Sequence, residues 1–284
     1  MFVADNLLAT AKKYFFNELA SAFSPSECKQ MWLVLLEKRF GWSPAEQMLQ
    51  LETRVSESDL LYFRSAVKRL QAQEPFQFVV GDTLFAGLVL KTDQRALIPR
   101  PETEELIELI SKQDREFSSI LDLCTGTGCI ALALQNEFPN AKVRGLDLSL
   151  DAIALAQENA LQTQLNVAFE VADVFHWKSN ATFDLIVSNP PYIPSQEKAQ
   201  MQPNVLNFEP HMALFVPDND PLVFYKQIIE IAQNCLFAEG FIALEIHENF
   251  ALETQALIEG AQFKNVQIHR DLQGKQRMIL AQKA

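Results

Sequence analysis

Cysteine is scarce: four residues (Cys28, Cys124, Cys129, Cys235) are scattered over 284, and none forms a C-x-x-C pair. The four histidines show no metal-ligand spacing. A disulfide framework and a zinc site of usual spacing are therefore not expected, and free thiols fit a reducing compartment. Long apolar runs are also missing. No segment approaches the roughly 18 uninterrupted apolar residues of a membrane span, and the N-terminus shows no basic stretch followed by an apolar run, as a secretory signal would. The expectation is a cytoplasmic protein without a membrane partner. Positive charge is lacking too. The net charge is −12. Residues 1–75 carry nine Lys/Arg and nine Asp/Glu, whereas residues 76–284 carry fifteen and twenty-seven. An acidic domain cannot hold a long nucleic acid by non-specific phosphate attraction, which argues against direct nucleic-acid binding. There is no internal repeat and no low-complexity segment.

What is present is ordinary globular material, 48% hydrophobic and 21% charged. The length allows one large domain or two smaller ones. Residues 1–75 predict a small helical bundle. LLATAKKYFFNELA has apolar residues at helical spacing, Ser24-Pro25-Ser26-Glu27 is a break followed by a cap, and Ser43-Pro44 and Ser56-Glu57 open further helices. Beyond Pro75, FQFVVGDTLFAGLVLKT predicts a β-hairpin in a linker spanning 76–97. A third region, 98–284, opens with LIPRPETEELIE, in which Pro101-Glu102-Thr103-Glu104 starts a helix with acids at its positive end.

From about residue 117 the pattern becomes strand–helix alternation. SSILDL, KVRGLDL, NVAFEVAD, FDLIVSN and GFIALEI are strand candidates with helices between them, and a final hairpin is expected at one edge. The predicted fold class is α/β, a doubly wound, Rossmann-like parallel sheet.

Two motifs carry chemistry. Strand one ends in LDLCTGTGCIALAL, where Thr125-Gly126-Thr127-Gly128 stands between a strand and a helix. Backbone approaches a ligand closely there, and helix N–H groups are free. Asp147, nineteen residues after Gly128, ends strand two and suits the hydroxyls of a ribose. An adenosine-containing cofactor follows. Gly126-x-Gly128-x-x-Ala131 also fits a dinucleotide fingerprint, so a nicotinamide cofactor competes. Asp122 favours S-adenosylmethionine, whose ammonium group needs an anionic neighbour; a pyrophosphate would be repelled.

The second motif is Asn189-Pro190-Pro191-Tyr192 at the end of FDLIVSN, on the same sheet edge. A carboxamide or exocyclic amine nitrogen is planar and a poor nucleophile. Accepting hydrogen bonds from both its N–H groups, at the Asn189 side-chain oxygen and the Pro190 carbonyl, raises its electron density and fixes its direction of attack. Two prolines keep the acceptors rigid, and Tyr192 offers a flat face for a planar group. His176 and His211 are candidate general bases, though the scheme needs none.

With both motifs in place, the chain resembles the class I S-adenosylmethionine-dependent methyltransferases of the N-P-P-Y group, and more narrowly the release-factor glutamine methyltransferases. The resemblance covers nearly the whole chain and includes LIPRPETEELIE and FEPHMAL at 208–214. It implies methyl transfer from S-adenosylmethionine to the amide nitrogen of the glutamine in the Gly-Gly-Gln loop of peptide chain release factors. It places the cofactor on Cys124, Thr125, Gly126, Thr127, Gly128 and Asp147, with Asp173 and Val174 flanking adenine. Asn189 then contacts both cofactor and substrate, and Asn189 to Tyr192 cradle the glutamine. A single glutamine offers too little contact for specificity, so the helical region of residues 1–75 is expected to read the protein substrate's surface. Three residues depart from the family's pattern. Cys124 replaces a usual glycine, which implies a looser approach or a negative φ. Val174 replaces a frequent aromatic, and His247 a common glycine. An adenine-N6 DNA methyltransferase shares the need for a cradled amine, but it calls for a basic recognition region that this chain lacks.

Overall fold

Serine caps set the beginnings of the N-terminal helices. The structure, a computed structural model, describes residues 5–50 and 52–284. Helix α1 (Leu8–Leu19) is followed by α2 (Pro25–Phe40), α3 (Pro44–Leu49) and α4 (Glu57–Gln71). Ser24, Ser43 and Ser56 each accept the N–H three residues on, while Glu27, Glu46 and Asp59 reach back to the capping serine's own N–H. Two orphan donors per helix are thereby satisfied. The helices bury a common aromatic centre. Phe15 and Trp32 stand 5.4 Å apart between ring centroids, and Trp32 and Phe63 stand 4.6 Å apart. All three are essentially inaccessible, each contributing about 1.5–3 kcal/mol by burial.

The run after Pro75 departs from expectation. FQFVV is a short helix, α5 (Phe76–Val80), rather than the first strand of the hairpin. The cause is tertiary: Val79, with Phe76 and Val80 beside it, packs into the aromatic core of the bundle, a face that a strand's alternation could not present. The hairpin proper is β1 (Asp82–Phe85) and β2 (Leu88–Lys91), antiparallel with Asp82 opposite Lys91. The chain forms two compact units. One comprises Met1–Gly81 together with Gln202–Phe208, and the other Asp82–Met201 together with Glu209–Ala284. The hairpin thus belongs with the second unit.

That second unit begins with the hairpin and α6 (Pro101–Ser111) and continues through β3 (Ser119–Leu123), α7 (Cys129–Glu137), β4 (Lys142–Asp147), α8 (Leu150–Thr163), β5 (Val167–Val171) and β6 (Phe183–Ser188). Two residue pairs, β7 (Ile193–Pro194) and β8 (Phe215–Val216), bridge in parallel around the segment that carries α9 (Pro203–Phe208). The chain ends with α10 (Val223–Cys235), β9 (Leu236–Glu245), α11 (Ala251–Gly260), β10 (Phe263–Arg270) and β11 (Gln276–Lys283). Seven strands form one sheet in the order β10-β11-β9-β6-β3-β4-β5. The five from β9 to β5 are mutually parallel, and β11 is antiparallel to both its neighbours. Central strands covered on both faces are continuously apolar, as Leu185, Ile186 and Val187 are. One buried cluster joins α10 and α11 to the sheet and another joins α6 and α7. Among the described residues no helix is long and apolar enough to cross a membrane.

Candidate active site

Strand order reverses between β3 and β6, and in open α/β sheets ligands bind at the carboxyl ends of the strands beside such a reversal. A cavity of about 330 Å³ opens there, within the range of small-molecule sites. The end of β3 brings Cys124 to Thr127, β4 brings Asp147, β5 brings Asp173 to Phe175, and β6 brings Asn189 and Pro191. Leu123 pairs with Ser188 across the two central strands, so the glycine loop and the Asn-Pro-Pro-Tyr turn leave the sheet side by side.

The loop is a succession of left-handed residues. Cys124, Gly126 and Gly128 have φ of 61°, 55° and 80°. The Gly128 N–H donates to the Thr125 carbonyl at 2.8 Å, and the Thr125 N–H donates to the Leu146 carbonyl at 2.9 Å. A Cβ on Gly126 would meet nothing within 4 Å, so the space above it is open to a ligand. Gly128 has a different task. It starts α7 and does not line the cavity, and a Cβ there would stand 2.8 Å from the Phe169 ring. The expectation of a negative φ at Cys124 is overturned. The turn demands the left-handed region, and the cysteine adopts it at a cost of about 1–2 kcal/mol.

Three carboxylates differ in role. Asp147 lines the cavity, its Oδ2 accepting the Gly126 N–H and its Oδ1 the Ser149 N–H, both at 2.9 Å. Each oxygen keeps a further lone pair for a ligand hydroxyl. Burial raises this carboxyl above its ordinary value, against the pull of the Ser149 and Gly126 N–H groups. Asp173 also lines the cavity. The Phe175 N–H and His176 hold it below the usual carboxylate range. Asp122 is not part of the wall, contrary to a direct contact with a ligand's ammonium group. It is wholly buried beneath the loop, accepts the Thr125 hydroxyl at 2.5 Å, and burial pushes it up to about 7. Its role is to hold the loop. Val174 lines the cavity from within the core. Beside it, Phe175 and Phe224 form an edge-to-face pair with centroids 5.0 Å apart. This aromatic pair was not identified from sequence, because Phe224 comes from a distant helix.

In the second motif, Asn189 and Pro191 line the cavity, and Pro190 is buried. The Asn189 side-chain N–H donates to Thr103 Oγ1 at 3.2 Å, leaving its Oδ1 for an incoming donor. Tyr192 is not among the lining residues; its hydroxyl donates to buried Glu245 at 2.9 Å, and its ring meets His247 edge-on at 5.9 Å. His247 is therefore a packing partner of the motif. His176 is exposed and paired with Asp173, and His211 packs edge-on against Phe215. Neither lines the cavity.

LIPRPETE forms the facing wall through Ile98, Pro99, Arg100 and Thr103. Glu209 anchors it, accepting the Ile98 N–H at 3.1 Å and the Arg100 guanidinium at 2.6 Å. Asn159, fully buried on α8, ties the loop to the hairpin. Its amide donates to the Thr127 and Lys91 carbonyls and accepts the Lys91 N–H. Neither Glu209 nor Asn159 was identified as a support, since their partners are distant in sequence.

A mostly parallel sheet with this reversal, a glycine loop and an aspartate at the end of the neighbouring strand defines the class: a class I S-adenosylmethionine-dependent methyltransferase. The open floor over Gly126, the two cavity carboxylates and the aromatic edge fit that co-substrate. A methyltransferase from Pyrococcus furiosus shares the fold, with a TM-score of 0.54 over 78% of this chain and 98% of that one at 17% identity. The Methyltransferase small domain model matches residues 101–207, and the PrmC N-terminal domain model matches residues 10–81. Release factor glutamine methyltransferases from Flavobacterium psychrophilum and Bacteroides thetaiotaomicron are 38% and 35% identical. The first alignment covers 96% of this chain and 98% of the relative, the second 94% and 97%. The chain belongs to the release factor glutamine methyltransferase family.

Proposed function

We propose that the protein transfers a methyl group from S-adenosylmethionine to the side-chain amide nitrogen, N5, of the glutamine in the Gly-Gly-Gln loop of peptide chain release factors. The observation that carries the reading is Asn189. Its N–H end is engaged by Thr103, its oxygen is left for a carboxamide N–H, and it stands beside the loop of Thr125, Gly126 and Thr127 in one cavity. S-adenosylmethionine supplies an electrophilic methyl on a sulfonium. The chain's own residues would bind and orient it: Asp147 would receive the ribose hydroxyls, Cys124 to Thr127 would form the floor beneath the donor, and Asp173 with Val174 would flank adenine, with Phe175 and Phe224 at that edge. Asn189 and the Pro190 carbonyl accept the two hydrogens of the carboxamide, and the prolines keep those acceptors from turning. Positioning of this kind supplies several kcal/mol, up to about 7–11 in the best-oriented cases. The sulfur departs as a neutral thioether, and the methylated nitrogen, cationic and acidic at that point, loses its extra proton to solvent, so no side-chain base is required.

Within the first unit, a groove of about 780 Å³ lined by Phe23, Met31, Val34, Phe76 and Pro203 supports a role for the helical region in reading the release factor's surface. The four free thiols fit a cytoplasmic location. Tritiated S-adenosylmethionine offered to a release factor and to DNA tests the reading. Label in the glutamine-loop peptide, lost in Asn189→Ala while the fold is kept, is expected; label in DNA alone refutes it.

A further inference from the structure

Asn189 is presented to the cavity by residues from two other elements. Ser188 and Leu244 are paired across β6 and β9, so the residues that follow lie side by side: Asn189 just past the end of β6, and Glu245 as the last residue of β9, still paired with Met278 of β11. Thr103, in the first turn of α6, stands between them. The Thr103 hydroxyl donates to Glu245 Oε2 at 2.6 Å, and the Asn189 amide donates to Thr103 Oγ1 at 3.2 Å. Thr103 and Glu245 are each 2% exposed, so water does not substitute for either partner.

The chemistry of the three groups allows one direction only. A hydroxyl has a single proton, and ionised Glu245, whose two oxygens accept the Thr103 and Tyr192 hydroxyls, has none to give and can only accept. The Thr103 proton is therefore spent on Glu245, and toward Asn189 the hydroxyl oxygen acts as acceptor. Only the NH₂ end of an amide can meet an acceptor, so the oxygen end must turn to the cavity. With the amide reversed, a donor would face the donor hydrogens of the incoming carboxamide. Glu245 is itself fixed, since Tyr192 donates to its Oε1 at 2.9 Å and Tyr225 to its backbone carbonyl at 3.3 Å. Burial raises the Glu245 carboxyl, while the Thr103 and Tyr192 hydroxyls and the charge of Arg277 oppose that rise.

We infer that Thr103 and Glu245 are positioning residues for methyl transfer: a one-way hydrogen-bond relay from Asn189 through Thr103 to Glu245 holds the Asn189 oxygen toward the substrate amide. This rests on the carboxamide reading of the site. It also gives LIPRPETE a role beyond starting a helix, and gives Tyr192 one beyond offering a flat face.

The test uses the full chain with Thr103→Val, Thr103→Ser and Glu245→Gln, a release factor as substrate, and S-adenosylmethionine affinity measured by calorimetry. Thr103→Val is expected to lower kcat by about 10²-fold, the scale seen when one oriented polar group is removed from an active site, with S-adenosylmethionine affinity retained and Tm lowered only as far as the unsatisfied Glu245 oxygen accounts for. Thr103→Ser keeps the hydroxyl and is expected to restore turnover. Glu245→Gln preserves the number of hydrogen bonds but can donate to Thr103, so it loses the direction and is expected to lose kcat. Solvent exchange of the Asn189 side-chain NH₂, followed by ¹⁵N NMR and assigned with Asn189→Asp, is slow in the parent and fast in Thr103→Val. Undiminished turnover in Thr103→Val, or equal damage from the serine and valine changes, overturns the relay. So does parallel loss of Tm and co-substrate affinity in all three variants. If the parent methylates no release factor, the substrate reading fails, and the amide exchange still decides the relay.

Discussion

Arg100 and Glu209 lie 109 positions apart in the chain and form an ion pair at 2.6 Å. The glutamate is the buried partner, with 1% of its side chain accessible against 34% for the arginine. The same carboxylate accepts the Ile98 N–H, so one side chain fixes both the backbone and the charge of the cavity's facing wall. Removing it leaves a buried N–H and a half-exposed cation unsatisfied. Glu209→Ala is expected to cost about 1–3 kcal/mol, read from the denaturant midpoint, and to raise KM for the protein substrate. An unchanged midpoint and KM would show that the wall stands without the pair.

Cys124 offers a sharper test of backbone strain. At φ 61° it occupies a region that β-branched residues avoid, and its side chain packs against the α10 core. Cys124→Gly relieves the strain but loses that packing and gains unfolded-state freedom, so its stability is expected within about 1 kcal/mol of the parent. Cys124→Val is expected to lose about 2 kcal/mol or more. Equal Tm values for the two variants would contradict the geometry.

The glycines separate fold from binding. A Cβ at Gly145 would stand 2.7 Å from the Phe169 ring and 2.8 Å from Thr125 Oγ1. Gly145→Ala is therefore expected to destabilise by about 1–3 kcal/mol through overpacking. Gly126→Ala meets no neighbour but puts a side chain at φ 55°, so it is expected to lose about 1–2 kcal/mol through that strain and, beyond it, to weaken S-adenosylmethionine binding. Calorimetric titration beside a melting curve distinguishes the two, and a reversed pattern would place the open space elsewhere.

The buried carboxyls give stability a pH dependence of definite sign. Burial raises Asp122 to about 7 and lifts Asp147 and Glu245 as well. In the unfolded chain such groups titrate near about 4. Between those values the folded state holds protons that the unfolded chain has lost, so stability falls as pH rises through the folded values. Carboxylates held low, such as Glu158 at about 2, titrate beneath this window. Tm is expected to decline from about pH 4 to about pH 7, with a shallower slope in Asp122→Asn. The same slope in both proteins would remove Asp122 from the account.

Local pattern was enough for much of the molecule. The serine caps, the strand–helix alternation, the left-handed glycines of the loop and the proline pair after β6 are each written in a few consecutive residues. Their physics acts over one turn of chain: a hydroxyl reaches the N–H three residues on, a missing Cβ permits positive φ, a pyrrolidine ring locks φ. That suffices to predict the α/β class and to select Gly126, Asp147 and Asn189 as residues of one sheet edge.

Tertiary packing decided the rest. FQFVV favours a strand by composition, yet it becomes a helix because the bundle core offers an apolar surface that a helix face can cover. Asp122 leaves the cavity wall because the loop folds over it. The direction in which Asn189 turns its amide depends on Thr103 and Glu245, which only the juxtaposition of α6, β6 and β9 brings within hydrogen-bonding reach. Sequence determined which chemical groups are available and what their own backbone can do, since those terms are local. Which groups face the ligand, and which end of each, was decided by contacts among residues far apart in the chain, because desolvation and hydrogen-bond partnership exist only once the sheet has assembled.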